Sequence, residues 1–256
     1  NKASDIADSI RELGIPTYLS GSARSLLSRP NLPLFRHNRK SALKESDLVI
    51  LFGVPCDFRL DYGRQINHRA KVVSINQNRK NMLLNIKPSL CINHNPAIII
   101  TNIAKGKIKN NWTSWINSIN KKEKERNKNI QSQADEKTKN VNPIKFFTLL
   151  DEHLSNNDII IADGGDFVAT ASYILRPRSF TGWLDPGVFG TLGVGSGFAL
   201  GAKLCHPSST VWIIFGDGSF GYSLIEFDTF IRHNIPVIAI IGNDAGWTQI
   251  ARDQVD

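Results

Sequence analysis

Two rhythms of apolar residues alternate along this chain. In 5–13, Ile6, Ile10 and Leu13 recur at helical spacing among polar neighbours, and 15–19 is a short apolar run of strand length. After Gly21, residues 22–27 begin another helix, and 41–45 is helical. Residues 47–52 read as a buried strand closed by Gly53, and 71–75 as a further one. Beyond Asn76 the periodicity weakens, although 97–101 reads as one more strand. Strands alternating with helices predict parallel βαβ units.

In 105–142 the pattern changes. Trp112, Trp115, Ile116 and Ile119 form one apolar helix face that runs on into lysine-rich 121–128. Order returns at Asn142-Pro143, an N-cap followed by proline at the first helical position, with Ile144, Phe147, Leu150 and Leu154 at helical spacing. A strand at 158–162, a glycine-punctuated helix at 193–204, a strand at 211–215, a helix at 223–233 and a strand at 236–241 follow. The predicted class is α/β with two doubly wound parallel-sheet domains. The first covers 1–104, a basic linker covers 105–142, and the second, truncated, covers 143–256.

Composition narrows the class. With 256 residues, 41% apolar and 21% charged, the chain can bury a core, which excludes fibres, disulfide miniproteins and disordered tails. The net charge of +8 could suggest nucleic acid, a membrane surface or an acidic substrate. Its location weakens that suggestion, because 105–145 holds eleven basic and four acidic residues and the remainder is close to neutral. A linker whose tryptophans pack on their own protein is preferred to a nucleic-acid surface, since no aromatic interleaves with the lysines after Trp115. Nucleic acid is therefore not an expected partner. Cys56, Cys91 and Cys205 form no CxxC pair, so neither a disulfide framework nor a zinc knuckle is indicated. The longest apolar stretches, 48–54 and 237–241, are far below the roughly 18–20 residues that span a bilayer. A start without Met inside a helix, and an end at Gln254-Val255-Asp256 with no closing element, lead us to expect a piece of a longer protein.

The strongest chemical signal is one βαβ unit. Its first strand ends in Gly216-Asp217-Gly218-Ser219 and its second in Gly242-Asn243-Asp244. Parallel strands point their carboxyl ends the same way, so Asp217 and Asn243 should meet at the edge where open α/β sheets bind ligands. A carboxylate with a neutral amide oxygen suits Mg²⁺, which keeps positions open for phosphate oxygens and water. Gly216 and Gly218 allow a tight turn and close approach to a bulky anion. The implied ligand is a Mg-diphosphate. Alone, the tetrapeptide would read as an Asp-Gly turn; its place after an apolar strand and its Asn partner one crossover later favour the metal reading. An EF-hand is disfavoured because no acids follow at alternate positions. Upstream, Gly187, Gly190, Gly193, Gly195, Gly197 and Gly201 lack the spacing of a dinucleotide fingerprint, and no strand immediately precedes them. They suit close approach to a flat ligand or tight helix packing.

These two segments, Gly190-Thr191-Leu192-Gly193-Val194-Gly195 and Gly216-Asp217-Gly218-Ser219 through Asn243, resemble the signature of the thiamine diphosphate enzymes of the acetolactate synthase superfamily. Residues 189–204, 215–231 and 242–249 resemble in particular its animal 2-hydroxyacyl-CoA lyase branch, and 20–64 matches that branch's central domain more loosely. The resemblance implies that Asp217, Asn243 and the Ala245 carbonyl coordinate Mg²⁺. It implies that Gly218 and Ser219 donate to the diphosphate, that Leu192 wedges beneath the thiamine, and that the Gly190 carbonyl accepts a hydrogen bond from the aminopyrimidine. The family's activating glutamate sits on an N-terminal domain of a partner subunit, so this stretch alone is expected to be inert.

The activity implied is cleavage of the carbon–carbon bond of a 2-hydroxyacyl-CoA to a shortened aldehyde and formyl-CoA. The alternatives are acetolactate-type carboligation of pyruvate, a 2-oxo acid, and a non-catalytic interaction protein that keeps a cofactor domain. The resemblance further implies a homodimer or homotetramer, and association with the endoplasmic reticulum membrane through an N-terminal segment. Cys56, Asp57 and Arg59 follow a strand end where related central domains hold FAD or ADP, and the residues leave open whether either binds. Asp163 and Asp166 in Asp163-Gly164-Gly165-Asp166 are equally readable as cofactor contacts or turn caps. Trp247, Thr248 and Gln249 are candidates for a substrate channel, with packing as the alternative for the tryptophan.

Overall fold

The computed structural model describes residues 2–106 and 112–254. Lys107 and Lys109 of the basic segment lie outside the described residues. The chain divides into two compact units, Asn1–Ser20 with Asn31–Arg126, and Gly21–Pro30 with Asn127–Asp256.

In the first unit, α1 (Lys2–Leu13) buries Ala7, Ile10 and Leu13. The two-residue strands β1 (Thr17–Tyr18) and β2 (Leu34–Phe35) pair in parallel. Then follow α2 (Arg39–Glu45), β3 (Leu48–Phe52), β4 (Lys71–Asn76), α3 (Arg79–Met82), β5 (Leu90–Asn93), α4 (Pro96–Ala104) and α5 (Thr113–Ala134), of which this unit includes the residues up to Arg126. The larger sheet is parallel in the order β3-β4-β5, with Val49 and Leu51 packed against Cys56, Leu60 and Ile66. The apolar face of α5 turns inward: Trp115, Ile116 and the fully buried Ile119 pack with Tyr18, Phe35 and Ala42. Farther along the helix, the Glu123 carboxylate accepts the backbone N–H groups of Arg36 and His37, both at 3.0 Å. Lys121, Lys124 and Lys128 remain exposed.

The second unit contains α6 (Pro143–His153), β6 (Asp158–Ala162), α7 (Asp166–Ile174), β7 (Trp183–Leu184), α8 (Gly195–Cys205), β8 (Thr210–Gly216), α9 (Asp217–Gly221), α10 (Glu226–Arg232), β9 (Ile238–Gly242) and α11 (Thr248–Gln254). Its sheet is parallel in the order β7-β6-β8-β9. Both faces are covered, which explains the unbroken apolar runs of β6 and β8. Ile160, Ala162 and Ile214 pack with Phe147 of α6 and with Val168, Ala171 and Ile174 of α7. Their strand neighbours Ile159, Ile161, Val211, Ile213 and Phe215 face the other way, against Ala199 and Ala202 of α8 and Phe230 of α10. Burying such a side chain fully is worth about 1.5–3 kcal/mol, so these two layers fix where the β6 and β8 carboxyl ends emerge. Asn142 caps α6 through the N–H groups of Ile144 and Lys145, as its Asn-Pro start predicts.

The α/β class and parallel sheets agree with the sequence reading, and several elements differ. Residues 97–101 are helical, within α4, because Asn95 accepts the Ala97 N–H and Pro96 occupies the first turn. The strand β5 was not expected; it pairs Val73 with Leu90 and Asn76 with Asn93 where hydrophobic periodicity is weak. The helix expected at 22–27 is a 3₁₀ segment, Gly21–Ser28, and the strand at 15–19 shrinks to β1. A short strand, β7, does precede the glycine cluster. Among the described residues no helix is long and apolar enough to cross a membrane.

Candidate functional site

Three parallel strands of the second unit end side by side. Gly216 of β8 is the register partner of Gly242 of β9. Asp217 and Asn243 are each the next residue, so a carboxylate and a carboxamide leave adjacent strands at the same level, where neighbouring strands lie about 4.8 Å apart. The Gly218 N–H donates to Asp217 Oδ1 at 2.8 Å. The Ala245 N–H donates to Asn243 Oδ1 at 2.9 Å, closing a tight turn in which Ala245 takes a left-handed φ of 57°. Among the described residues no group of three or more His, Cys, Asp or Glu side chains is arranged to hold a metal.

The third strand end, after β6, packs directly on this turn. The Gly216 N–H donates to the Gly164 carbonyl at 3.0 Å, and a Cβ on Gly165 would lie 3.5 Å from Gly216 Cα. Ser219 is buried, and its hydroxyl lies 3.1 Å from the Gly164 carbonyl and 3.0 Å from that of Gly216. That hydroxyl thus braces the turn from within. Trp247 covers the turn on another side, its six-membered ring against Gly218.

Leu192 reaches the same region by a different route. Gly190 adopts a left-handed φ of 56°, and nothing occupies the space where a Cβ would stand. Leu192 lies on Gly164 so closely that a Cβ there would be 2.1 Å from Leu192 Cδ2. The structure thus brings Leu192 to the β6 end, whose carbonyl holds Gly216.

Sequence reading left Asp163 between two roles, and its geometry is that of an anchor. It is 4% exposed, and its carboxylate accepts the N–H groups of Gly193 at 2.9 Å and Gly195 at 2.6 Å. Burial raises its carboxyl above the ordinary carboxylate range, while these N–H donors act in the opposite direction. The glycines at 193 and 195 were the available clue. Asp166 opens α7, in its first turn.

In the first unit, Asp57 and Arg59 pair with each other, at 2.7 Å from Nη2 to Oδ2. Burial works against ionisation of Asp57, yet its bonds to Arg59 hold its carboxyl below the ordinary range.

Residues 163–256 match the family described as Thiamine pyrophosphate enzyme, C-terminal TPP binding domain. Over 260 residues the chain is 46% identical to human 2-hydroxyacyl-CoA lyase 2, covering 99% of this chain and 41% of that protein. The zebrafish (Danio rerio) 2-hydroxyacyl-CoA lyase 2 is 49% identical over 261 residues, covering 99% and 42%. The acetolactate synthase large subunit IlvG of Mycobacterium tuberculosis is 28% identical over 238 residues, covering 93% and 43%. The chain spans about two fifths of the length of these curated relatives.

Proposed function

We propose, for a chain that over residues 163–256 belongs to the C-terminal TPP-binding domains of thiamine pyrophosphate enzymes, that its second unit holds Mg²⁺ and the diphosphate of that cofactor. The observation that carries this reading is the register pair Gly216 and Gly242, which supports Asp217 and Asn243 acting on one ion. The donor chemistry fits: one carboxylate and one carboxamide oxygen are the hard, low-charge set that Mg²⁺ shares with phosphate oxygens. Asp217, Asn243 and the Ala245 carbonyl would hold the metal. Gly216, Gly218 and Ser219 would face the diphosphate through their backbone. The Gly190 carbonyl and the Leu192 side chain would meet the thiamine.

Thiamine diphosphate, when bound, supplies a centre that stabilises negative charge on a former carbonyl carbon. The residues of this chain bind and orient. Asp217 and Asn243 fix the metal end, and Leu192, seated on Gly164, shapes the floor on which the rings would rest. The activating glutamate that the resemblance implies would come from an N-terminal domain of a partner subunit.

For the whole protein we propose a homodimeric or homotetrameric lyase that cleaves 2-hydroxyacyl-CoA to a shortened aldehyde and formyl-CoA, at the endoplasmic reticulum membrane. The 46–49% identities to 2-hydroxyacyl-CoA lyase 2, against 28% to an acetolactate synthase, support this over pyruvate carboligation. Titration calorimetry of the full-length protein tests the site. Thiamine diphosphate should bind only with Mg²⁺, and Asp217→Ala should abolish that binding; binding indifferent to the substitution would reject the assignment. Formyl-CoA release from a 2-hydroxyacyl-CoA supports the lyase, whereas acetolactate from pyruvate would replace it with the synthase.

A further inference from the structure

We propose that Asp163 is a positioning residue: its carboxylate locks the 190–195 loop to the end of β6, so that Leu192 and the metal-binding turn are held in one fixed relation. The inference rests on the cofactor reading above and adds a residue to it.

Asp163 is a buried carboxylate whose two backbone donors, the N–H groups of Gly193 and Gly195, flank Val194 at the start of α8, and the Ser219 hydroxyl also acts on it. Burial disfavours the charged form of this carboxyl, and the two N–H donors and the positive end of an eleven-residue helix act against that cost. The loop is shaped to receive it. A Cβ on Gly195 would stand 2.9 Å from Asp163 Oδ2 and 3.0 Å from both Ile213 and Phe215, so only glycine lets the strand and loop close to this distance. Gly193 has a left-handed φ of 80°, and a Cβ there would lie 2.5 Å from Tyr222 Cβ.

The neighbouring residue completes the connection. Gly164 receives the Leu192 side chain on its Cα and accepts the Gly216 N–H on its carbonyl. Two consecutive residues after β6 therefore hold the loop that carries Leu192 and the turn that leads to Asp217. Loosening Asp163 frees Leu192 and leaves Asp217 and Asn243 themselves unaltered, although it also removes one influence on the Ser219 hydroxyl.

The test uses the full-length protein and three variants. Asp163→Asn keeps one acceptor oxygen and the side-chain volume, but removes the charge and one N–H partner. Asp151→Asn is the control, another buried carboxylate of this unit whose partners are Arg176 and Arg178 rather than the loop. Thiamine diphosphate affinity should weaken on the order of tenfold or more in Asp163→Asn, the scale of a lost charge-assisted hydrogen bond. Amide hydrogen exchange over 190–195 should accelerate in the cofactor-free protein. Asp151→Asn should lower the melting temperature and change neither readout. Wild-type affinity in Asp163→Asn, or an equal loss in Asp151→Asn, overturns the proposal. If the wild-type protein binds no thiamine diphosphate, the cofactor reading fails first and this one with it, whereas normal wild-type binding with an unaltered Asp163→Asn rejects only the positioning role. Should Asp163→Asn not fold, Gly195→Ala attacks the same contact from the loop side, and its unaltered affinity would equally reject the role.

Discussion

Trp247 lies across Gly218: a Cβ on the glycine would meet three atoms of the indole's six-membered ring at 2.9–3.0 Å. Tyr222 stands edge-on to the same indole, with ring centroids 6.3 Å apart. The tryptophan is half exposed, so its emission should respond to whatever occupies the turn. Adding Mg²⁺ and thiamine diphosphate to the full-length protein should change tryptophan fluorescence. Trp247→Phe should remove most of that change and Trp212→Phe should keep it. A full response in Trp247→Phe would place the ligand away from Gly218.

The three cysteines should separate cleanly by reactivity. The thiolate is the attacking form. Cys56 is 1% exposed, and burial, helped by the neighbouring Asp57 charge, pushes its thiol up to about 11. Cys91 and Cys205 are exposed. A thiol reagent at mildly alkaline pH should label those two in the native protein and reach Cys56 only after denaturation. Peptide mapping that found Cys56 among the native labels would contradict the packing of the first sheet.

Asp151 should be a main brace of the second unit. Its side chain is 5% exposed and accepts the Arg176 N–H at 2.7 Å, with both the Arg176 and Arg178 guanidinium groups around it. Replacing it with alanine strands these donors. The expected loss is about 2–4 kcal/mol, toward the low side of a broken buried pair because Arg176 is itself half exposed. Urea unfolding of Asp151→Ala against wild type measures it, and a loss under about 1 kcal/mol would mean the carboxylate is spectator to the fold.

How far the sequence led depended on what kind of contact made each element. The ends of β8 and β9 were legible because two apolar strands joined by one crossover must point the same way, and Asp217 and Asn243 follow directly. Asn142-Pro143 was read as a helix start, yet the same signal at Asn95-Pro96 was missed, because the apolar run after it fits a strand as well as a helix. Strand β5 escaped because it is mostly exposed and carries no alternation. Asp163 was legible as a candidate but its role was not: its backbone N–H partners lie 30 and 32 residues away, and the glycines at 193 and 195 are the only trace they leave in the sequence.

Acid should weaken the first unit through Glu45. Lys122 and Ser41 bond its Oε1 and the Trp115 indole N–H reaches Oε2 at 3.3 Å, tying α5 to α2. These bonds, led by that to Lys122, hold the Glu45 carboxyl below its ordinary 4.5. A carboxyl depressed on folding binds fewer protons in the native state than in the unfolded one. Its contribution is therefore present above the ordinary value and fades as pH falls through the depressed one. Glu45 is 39% exposed, so solvent screens the ion pair and the contribution is small. Glu45→Gln should melt below wild type near neutral pH, and the difference should close as the solution is acidified below the ordinary carboxyl range. A gap that stayed constant with pH would assign the stabilisation to packing of Trp115 rather than to the charge on Glu45.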